Sequence, residues 1–403
     1  MNENTKNKIE LSNKIYPYFA GLTDDLMFWA AINTLFLTTV KNFSASQVSM
    51  LSAISIFSTI IFQGIVFKII KRLGNLKSVR TGVVLLLLAA IIMTFAKSFF
   101  IVGIGKIIYD LSFYFIGMGS VILKRNLKAV NKEEDFSKIQ SKASFNYAVI
   151  TMIISFIAGF VFNINKYLPM ILSISICTFN IFLSSYIYEY KSDDILESKQ
   201  SKKTKVNWNI IIILIIVVYG LLYGTVETLQ ENGKIFIQYD LQEYIDIGKA
   251  SIGLTVIIAF SRISRVMANA VFDKMYKKLK QNLIILINFL VVISASLMIS
   301  GSLINYNVIG TLVMAIGFCI LLFARDPIMI FTKVELFNNC EVKDQEIVMH
   351  RYNLSRKIVR CFLATAVSLL LTKVKMIYII TLLLIFLLFY FGITIDLAKK
   401  LKK

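Results

Sequence analysis

Two adjacent carboxylates in an apolar stretch, Asp24 and Asp25 in Gly21-Leu22-Thr23-Asp24-Asp25-Leu26-Met27-Phe28-Trp29, are the first residues able to do chemistry. Charges within a hydrocarbon layer are costly and seldom idle. Neighbouring positions on a helix point about 100° apart, so one of the two is expected to face an interior cavity. Desolvation favours the protonated form of a carboxyl group, which suits a proton carrier. A permanent pair with a basic neighbour is the structural alternative. Glu227 and Glu231, in Glu227-Thr228-Leu229-Gln230-Glu231-Asn232-Gly233-Lys234, offer the same chemistry further along.

Basic residues in apolar surroundings form the complementary set. Arg262, Arg265 and Asn269 recur at i, i+3 and i+7, one face of a helix. Arg325 stands beside Asp326-Pro327, where the proline is expected to kink a helix. Arg356 and Arg360 are four apart and share a face, with Lys357 snorkelling beside them. A cavity walled by guanidinium groups favours a ligand with a carboxylate or phosphate, to which Arg offers a bidentate fork. Lys106 and Asp110, also four apart, are expected to form an internal ion pair, with Tyr114 one turn further.

The elements that must position these residues follow from hydropathy. Apolar residues make up 57% of 403, with 31 Phe and only 3 Pro, a composition that points to a polytopic membrane protein. A crossing takes roughly 20 apolar residues. Candidate runs are 15–40, 46–68, 79–97, 99–123, 144–163, 167–189, 209–239, 249–272, 283–303, 307–332, 350–372 and 376–396. Helix 11 must start near His350–Tyr352 to be long enough, because its uninterrupted apolar run includes Arg360. The segments 124–142 and 190–208 read as mixed-charge solvated loops. Cys177, Cys319, Cys340 and Cys361 lack metal-site spacing and are expected to be free thiols. The N-terminal segment, with Lys6, Lys8 and Lys14, has no apolar core or small-residue cleavage site, so no removable signal peptide is expected.

One stretch occurs twice at a constant offset. Gln63-Gly64-Ile65-Val66-Phe67-Lys68-Ile69-Ile70-Lys71-Arg72-Leu73-Gly74-Asn75 matches in kind Asn269-Ala270-Val271-Phe272-Asp273-Lys274-Met275-Tyr276-Lys277-Lys278-Leu279-Lys280-Gln281. Each copy follows one apolar run and precedes another, the layout of two homologous halves. The same offset superposes Asp24-Asp25 on Gln230-Glu231. It carries helix 7 to about Asp240, with a short turn near Ile247-Gly248, and lets Gly233 unwind the helix within the bilayer. Gln230, Asn232, Lys234 and Gln238 then become cavity candidates. Most of the 44 Lys+Arg fall in segments that are cytoplasmic if the N-terminus is cytoplasmic, which places both termini and the central linker inside.

Two sixes of helices, a central loop and basic loops after helices 2 and 8 resemble the major facilitator superfamily. Gly64, Lys71, Arg72 and Gly74 match its loop motif, with Lys68 where the acid usually stands. The second copy carries Asp273, Lys277 and Lys278, with Ala270 in place of glycine. The Gly-Pro signature of many drug/proton antiporters in helix 5 is absent, since 144–163 holds Gly159 and no proline. The resemblance implies an all-α membrane protein of twelve transmembrane helices in two pseudo-symmetric six-helix bundles, 1–189 and 209–403, joined by a cytoplasmic linker at 190–208.

The expected function is secondary active transport of a small solute across the cytoplasmic membrane by alternating access, as a monomer in the lipid bilayer. The coupling ion is expected to be H⁺ rather than Na⁺, carried by Asp24, Asp25, Glu227 or Glu231. The expected solute is anionic or zwitterionic, bound by Arg262, Arg265, Asn269, Arg325, Arg356, Arg360, Gln230, Asn232 and Lys234. A multidrug efflux antiporter without anion preference and a non-transporting sensor or assembly partner are the alternatives. With one histidine, His350, and no phosphate loop or nucleophile elbow, no enzyme, cofactor, metal site or nucleic-acid partner is expected.

Overall fold

The computed structural model describes residues 3–132, 134–190, 208–304, 308–340 and 345–402; the linker expected at 190–208 falls almost wholly outside them. Among the described residues the regular structure is helical, without strands. The helices are α1 (Glu3–Thr23), α2 (Trp29–Leu35), α3 (Ala45–Leu73), α4 (Asn75–Phe95), α5 (Phe99–Ile116), α6 (Met118–Ala129) and α7 (Asp135–Ile164). After them come α8 (Leu168–Ser185), α9 (Ile210–Tyr244), α10 (Ile247–Leu279), α11 (Leu283–Leu303), α12 (Val308–Asn338), α13 (Gln345–Leu370) and α14 (Met376–Leu401). Nine helical spans among these residues are long and apolar enough to cross a membrane, and Trp29–Val40 is a shorter apolar helix. Taken with the composition, they make this a multi-pass membrane protein. Counting α1–α2 and α5–α6 as one each, the described α-helices number twelve.

Two compact units divide the chain. One gathers Met1–Asn33 with Ser58–Lys202, and the other gathers Thr34–Phe57 with Lys203–Lys403. In the first, Phe19, Val79, Val83, Ile122 and Ile187 form a core that ties α1, α4 and α6 to the chain leaving α8. Gly21 lets α1 lie close on α7, where an added Cβ would sit 3.0 Å from the Asn146 Cβ. In the second, reciprocal bonds join Ser46 to Ser368, Ser46 Oγ donating at 2.7 Å and Ser368 Oγ at 2.9 Å. Ser49 Oγ donates to the Ala364 carbonyl at 3.3 Å. These contacts fasten the start of α3 to α13.

Three expectations are corrected. The first crossing is not one helix through Asp24 and Asp25: α1 ends at Thr23 and α2 begins at Trp29, followed by a π-helical turn at Phe36–Val40. An unwound segment in a bilayer must find partners for its backbone groups. Here Phe28 N donates to Ser173 Oγ (3.2 Å), Leu26 N donates to Asp25 Oδ1 (2.7 Å), and Asn180 Nδ2 donates to the Leu22 carbonyl (3.0 Å). Conversely, helix 7 does not unwind at Gly233, because α9 is continuous from Ile210 to Tyr244. A Cβ on Gly233 would lie 2.7 Å from Met298 Cε and 3.3 Å from the Phe318 ring, so this glycine serves close packing. Finally, 124–142 is not a loop throughout, since α6 runs to Ala129 and α7 starts at Asp135. Charge there sits on helix ends.

The repeat has a backbone counterpart. Gly74, between α3 and α4, has φ 78°, and Lys280, at the matching position after α10, has φ 48°. Both turns need the left-handed half of conformational space, and only the first uses glycine for it.

Candidate functional site

On α9, Tyr219, Tyr223, Glu227 and Glu231 recur every fourth residue and so line one helix face. On α13, Tyr352, Arg356 and Arg360 do the same. The two faces meet in parallel. Tyr219 stacks on Tyr352 with ring centroids 3.7 Å apart, and the Arg356 guanidinium lies 5.5 Å from the Tyr223 ring centre. Glu227 pairs with both arginines, at 3.5 Å to Arg356 and 3.7 Å to Arg360. Glycines set this approach: a Cβ on Gly220 would sit 2.8 Å from Ser355 Oγ, and one on Gly224 3.0 Å from Val359. Gly220-x-x-x-Gly224 thus acts as a small-residue face that draws two helix backbones together.

From α12, Arg325 adds a third guanidinium, 3.5 Å from Glu227 and 5.6 Å from the Tyr223 ring centre. Arg360 reaches on to Glu231 at 3.3 Å, and Glu231 accepts a hydrogen bond from Ser52 on α3. Three guanidiniums therefore share two carboxylates. The contacts to Glu227 are longer than tight charge-assisted hydrogen bonds, which run near 2.7–2.9 Å. The buried Nε atoms of Arg325 and Arg356 have no acceptor among the described residues. Donors in that condition are costly to leave unmet. Glu227 Oε2 likewise has no hydrogen-bond partner among the described residues, so the three guanidiniums and their two carboxylates are joined by loose ion pairs.

The other expected ligand residues lie elsewhere. Arg265 forks onto Asp326, with Nε and Nη2 3.0–3.1 Å from its oxygens, and Asn269 Nδ2 donates to the same carboxylate at 3.3 Å. That clamp joins α10 to α12, which runs through Pro327 uninterrupted. Arg262 is half-buried on α10, one turn before Arg265. Asn232 and Lys234 are buried on α9, and Asn232 Nδ2 donates to the Thr228 carbonyl at 2.8 Å, while Gln230 is half-buried. Gln238 Nε2 donates to Thr38 at 2.6 Å.

In the first unit both aspartates sit in the break between α1 and α2, in different surroundings. Asp25 accepts hydrogen bonds from the Tyr109 hydroxyl and, at 3.4 Å, from the Tyr147 hydroxyl. Asp24 is exposed. Lys106 and Asp110 are 2.7 Å apart, and the Lys106 ammonium lies 4.4 Å from the Tyr109 ring centre. Of the loop-motif residues, Lys71 and Arg72 close α3, Lys277 and Lys278 close α10, Asp273 precedes them on α10, and Gly64 has open space around it. An acid is supplied from another place in the chain. Glu189, after α8, accepts from Asn75 Nδ2 (2.6 Å), from Leu76 N (3.3 Å) and from Arg125 (2.8 Å).

No family model and no curated protein matches this sequence. Solved structures do match it in shape. The nucleoside transporter NupG superposes with a TM-score of 0.73 at 10% identity, over 97% of this chain and 98% of that one. A bacterial homologue of the iron transporter ferroportin, in an inward-facing state, gives 0.70 at 12% identity over 99% and 100%. The POT family transporter PepTSo gives 0.72 at 9% identity over 98% of both chains. At such identities the likeness is one of fold. The chain has the fold these structures share, of the major facilitator type.

Proposed function

We propose that the protein is a secondary transporter that moves a small anionic or zwitterionic solute across the cytoplasmic membrane by alternating access, coupled to H⁺. The observation that carries this reading is the sharing of the single Glu227 carboxylate by Arg325, Arg356 and Arg360. A carboxylate or phosphate on the solute would take over guanidinium donors that Glu227 satisfies loosely. Glu231, held by one arginine and one serine, is the acid best placed to gain and lose a proton as that exchange occurs. The transporters that share the fold support the general class.

A thermal-shift screen of the purified protein against anionic, cationic and neutral metabolites tests the solute class. Anions or zwitterions that stabilise the wild type and not Arg356→Gln support the reading, whereas stabilisation by neutral or cationic solutes alone contradicts it. Orientation is tested separately. Cysteine introduced at Lys166 should label from outside the cell and at Lys277 only from inside, and the reverse pattern would overturn the charge-bias argument.

A further inference from the structure

Five carboxylic side chains are buried among the described residues: Glu189, Glu227, Asp240, Asp326 and Glu335. Three of them face guanidiniums, Glu189 with Arg125, Glu227 with the arginine trio and Asp326 with Arg265. Glu335 accepts from the hydroxyl of Tyr276 at 2.7 Å, a residue flanked on α10 by Lys274, Lys277 and Lys278, whose charges stabilise a carboxylate. Asp240 differs from the other four. It is 4% exposed, and its described partner is a hydroxyl, Thr311 Oγ1 of α12, which donates to Oδ2 at 2.5 Å. The Tyr244 hydroxyl, one turn further along α9, is hydrogen-bonded to the same Thr311 oxygen. The first turn of α12 is held closely there: a Cβ on Gly310 would lie 2.6 Å from the Gly301 carbonyl oxygen of α11.

No lysine, arginine or histidine among the described residues forms an ion pair with Asp240. On the packed neighbours, α11 has no charged residue and α12 has none before Arg325. Asp246 and Lys249, at the start of α10, are exposed and pair with each other at 3.5 Å. Glu243, Lys373 and Lys375 are exposed, and Tyr239 and Tyr244 are half-buried phenols. Lys41 lies over the Phe36 ring, 5.2 Å from its centre. Lys234 is six residues earlier on α9, about 120° round the helix. An ionised Asp240 would be a buried charge without a counter-ion, far more costly than the neutral acid. A single hydroxyl donor offsets part of that cost. We infer that Asp240 is a proton-binding site, occupied while α9 and α12 are packed as they are here. It lies nine residues, about 13 Å, beyond Glu231 on α9. The site is thus apart from the arginine cluster, and its proton binding does not depend on solute movement.

The test is infrared titration of the purified full-length protein, in H₂O and in D₂O, because the carbonyl stretch of a neutral carboxyl stands apart from that of a carboxylate. At about pH 6, where an exposed aspartate is ionised, the wild type is expected to show a carboxyl band that Asp240→Asn lacks. Thr311→Val removes the hydroxyl that stabilises the ionised form, so the band should persist to higher pH, by roughly one pH unit. A purely structural Asp240 would give neither signature. Thermal unfolding adds a second readout. A carboxyl that holds its proton more firmly folded than unfolded stabilises the fold at acid pH, and that contribution is lost as pH rises through its titration. The unfolding temperature of the wild type should therefore fall relative to that of Asp240→Asn between about pH 5 and about pH 8. Helical circular dichroism and a single gel-filtration peak show that each variant is folded, and the Thr311→Val shift decides should Asp240→Asn not fold. The inference is overturned if the wild-type and Asp240→Asn spectra coincide, if the Thr311→Val band titrates like that of the wild type, or if the difference in unfolding temperature is constant or of the opposite sign. A titration that moves when Na⁺ replaces choline at constant ionic strength would also overturn it, by making Asp240 a metal-ion ligand.

Discussion

Ser52 on α3 donates a hydrogen bond to Glu231 on α9, whose other carboxylate oxygen lies 3.3 Å from Arg360. The start of the second crossing is thereby joined to the charge cluster of the seventh and eleventh. Protonating Glu231 would weaken its ion pair with Arg360 and change what Ser52 holds. Glu231→Gln keeps the shape and removes the charge, so it should abolish gradient-driven accumulation while leaving solute binding within about tenfold, since Glu231 is not a solute ligand in this scheme. Binding and accumulation measured on the same preparation separate the two effects. Loss of both together would place Glu231 in the binding site instead.

The arginine trio predicts opposite effects for its two kinds of member. Arg356→Gln should weaken an anionic solute by about 1–3 kcal/mol, as a charged hydrogen-bond partner is lost. Glu227→Gln leaves three half-buried guanidiniums with less counter-charge, which should cost stability by about 1–3 kcal/mol. A stabilising anion should rescue that variant by a larger shift in unfolding temperature than it gives the wild type. Equal shifts would show that Glu227 and the solute do not compete.

Close helix approach is tested by two alanines. Gly220→Ala would bring a Cβ within 3.0 Å of the Ser355 Cβ and 3.1 Å of its backbone carbon, neither of which can turn aside. The expected loss is about 1–3 kcal/mol, as for overpacking. Gly233→Ala meets first the flexible tip of Met298, at 2.7 Å, and should lie within about 1 kcal/mol of the wild type. Thermal unfolding in detergent ranks the pair, and the reverse order would contradict the packing described for α9.

Lys280 holds φ 48° and ψ −127°, a conformation that glycine adopts readily and lysine does not. Lys280→Gly should therefore raise stability, by about 1 kcal/mol, although glycine is ordinarily the more costly residue to order. A lower unfolding temperature would mean that the lysine side chain contributes more than its backbone strain costs.

Much of this fold is legible in hydropathy, because a bilayer leaves few ways to satisfy a backbone. Arg356 and Arg360 announce a shared face by spacing alone. Their partners were equally visible, since Tyr219, Tyr223, Glu227 and Glu231 recur every fourth residue and Gly220 and Gly224 mark the face that lets α13 in. What sequence does not supply is which helices meet: the spacing of Arg265 and Asn269 gives a shared face, and only the fold shows that Asp326 on α12 accepts from both. The break at Asp24 left no trace in the apolar run, because Ser173 and Asn180, distant in sequence, satisfy the backbone there. Gly233 is the reverse case. A glycine in a helix signals unwinding or close packing equally well, and Met298 and Phe318 decide the matter in space.

The central claim, an anion-binding arginine cluster coupled to proton movement, is tested most directly by solute-driven proton flux in proteoliposomes. A pH-sensitive dye trapped inside reports the flux as anionic, zwitterionic, cationic and neutral solutes are added in turn. At least one anion or zwitterion is expected to drive proton movement in the wild type, with the signal absent from Arg356→Gln and lost or strongly reduced in Glu231→Gln. Proton flux undiminished in Glu231→Gln, or driven equally well through Arg356→Gln, would contradict the account.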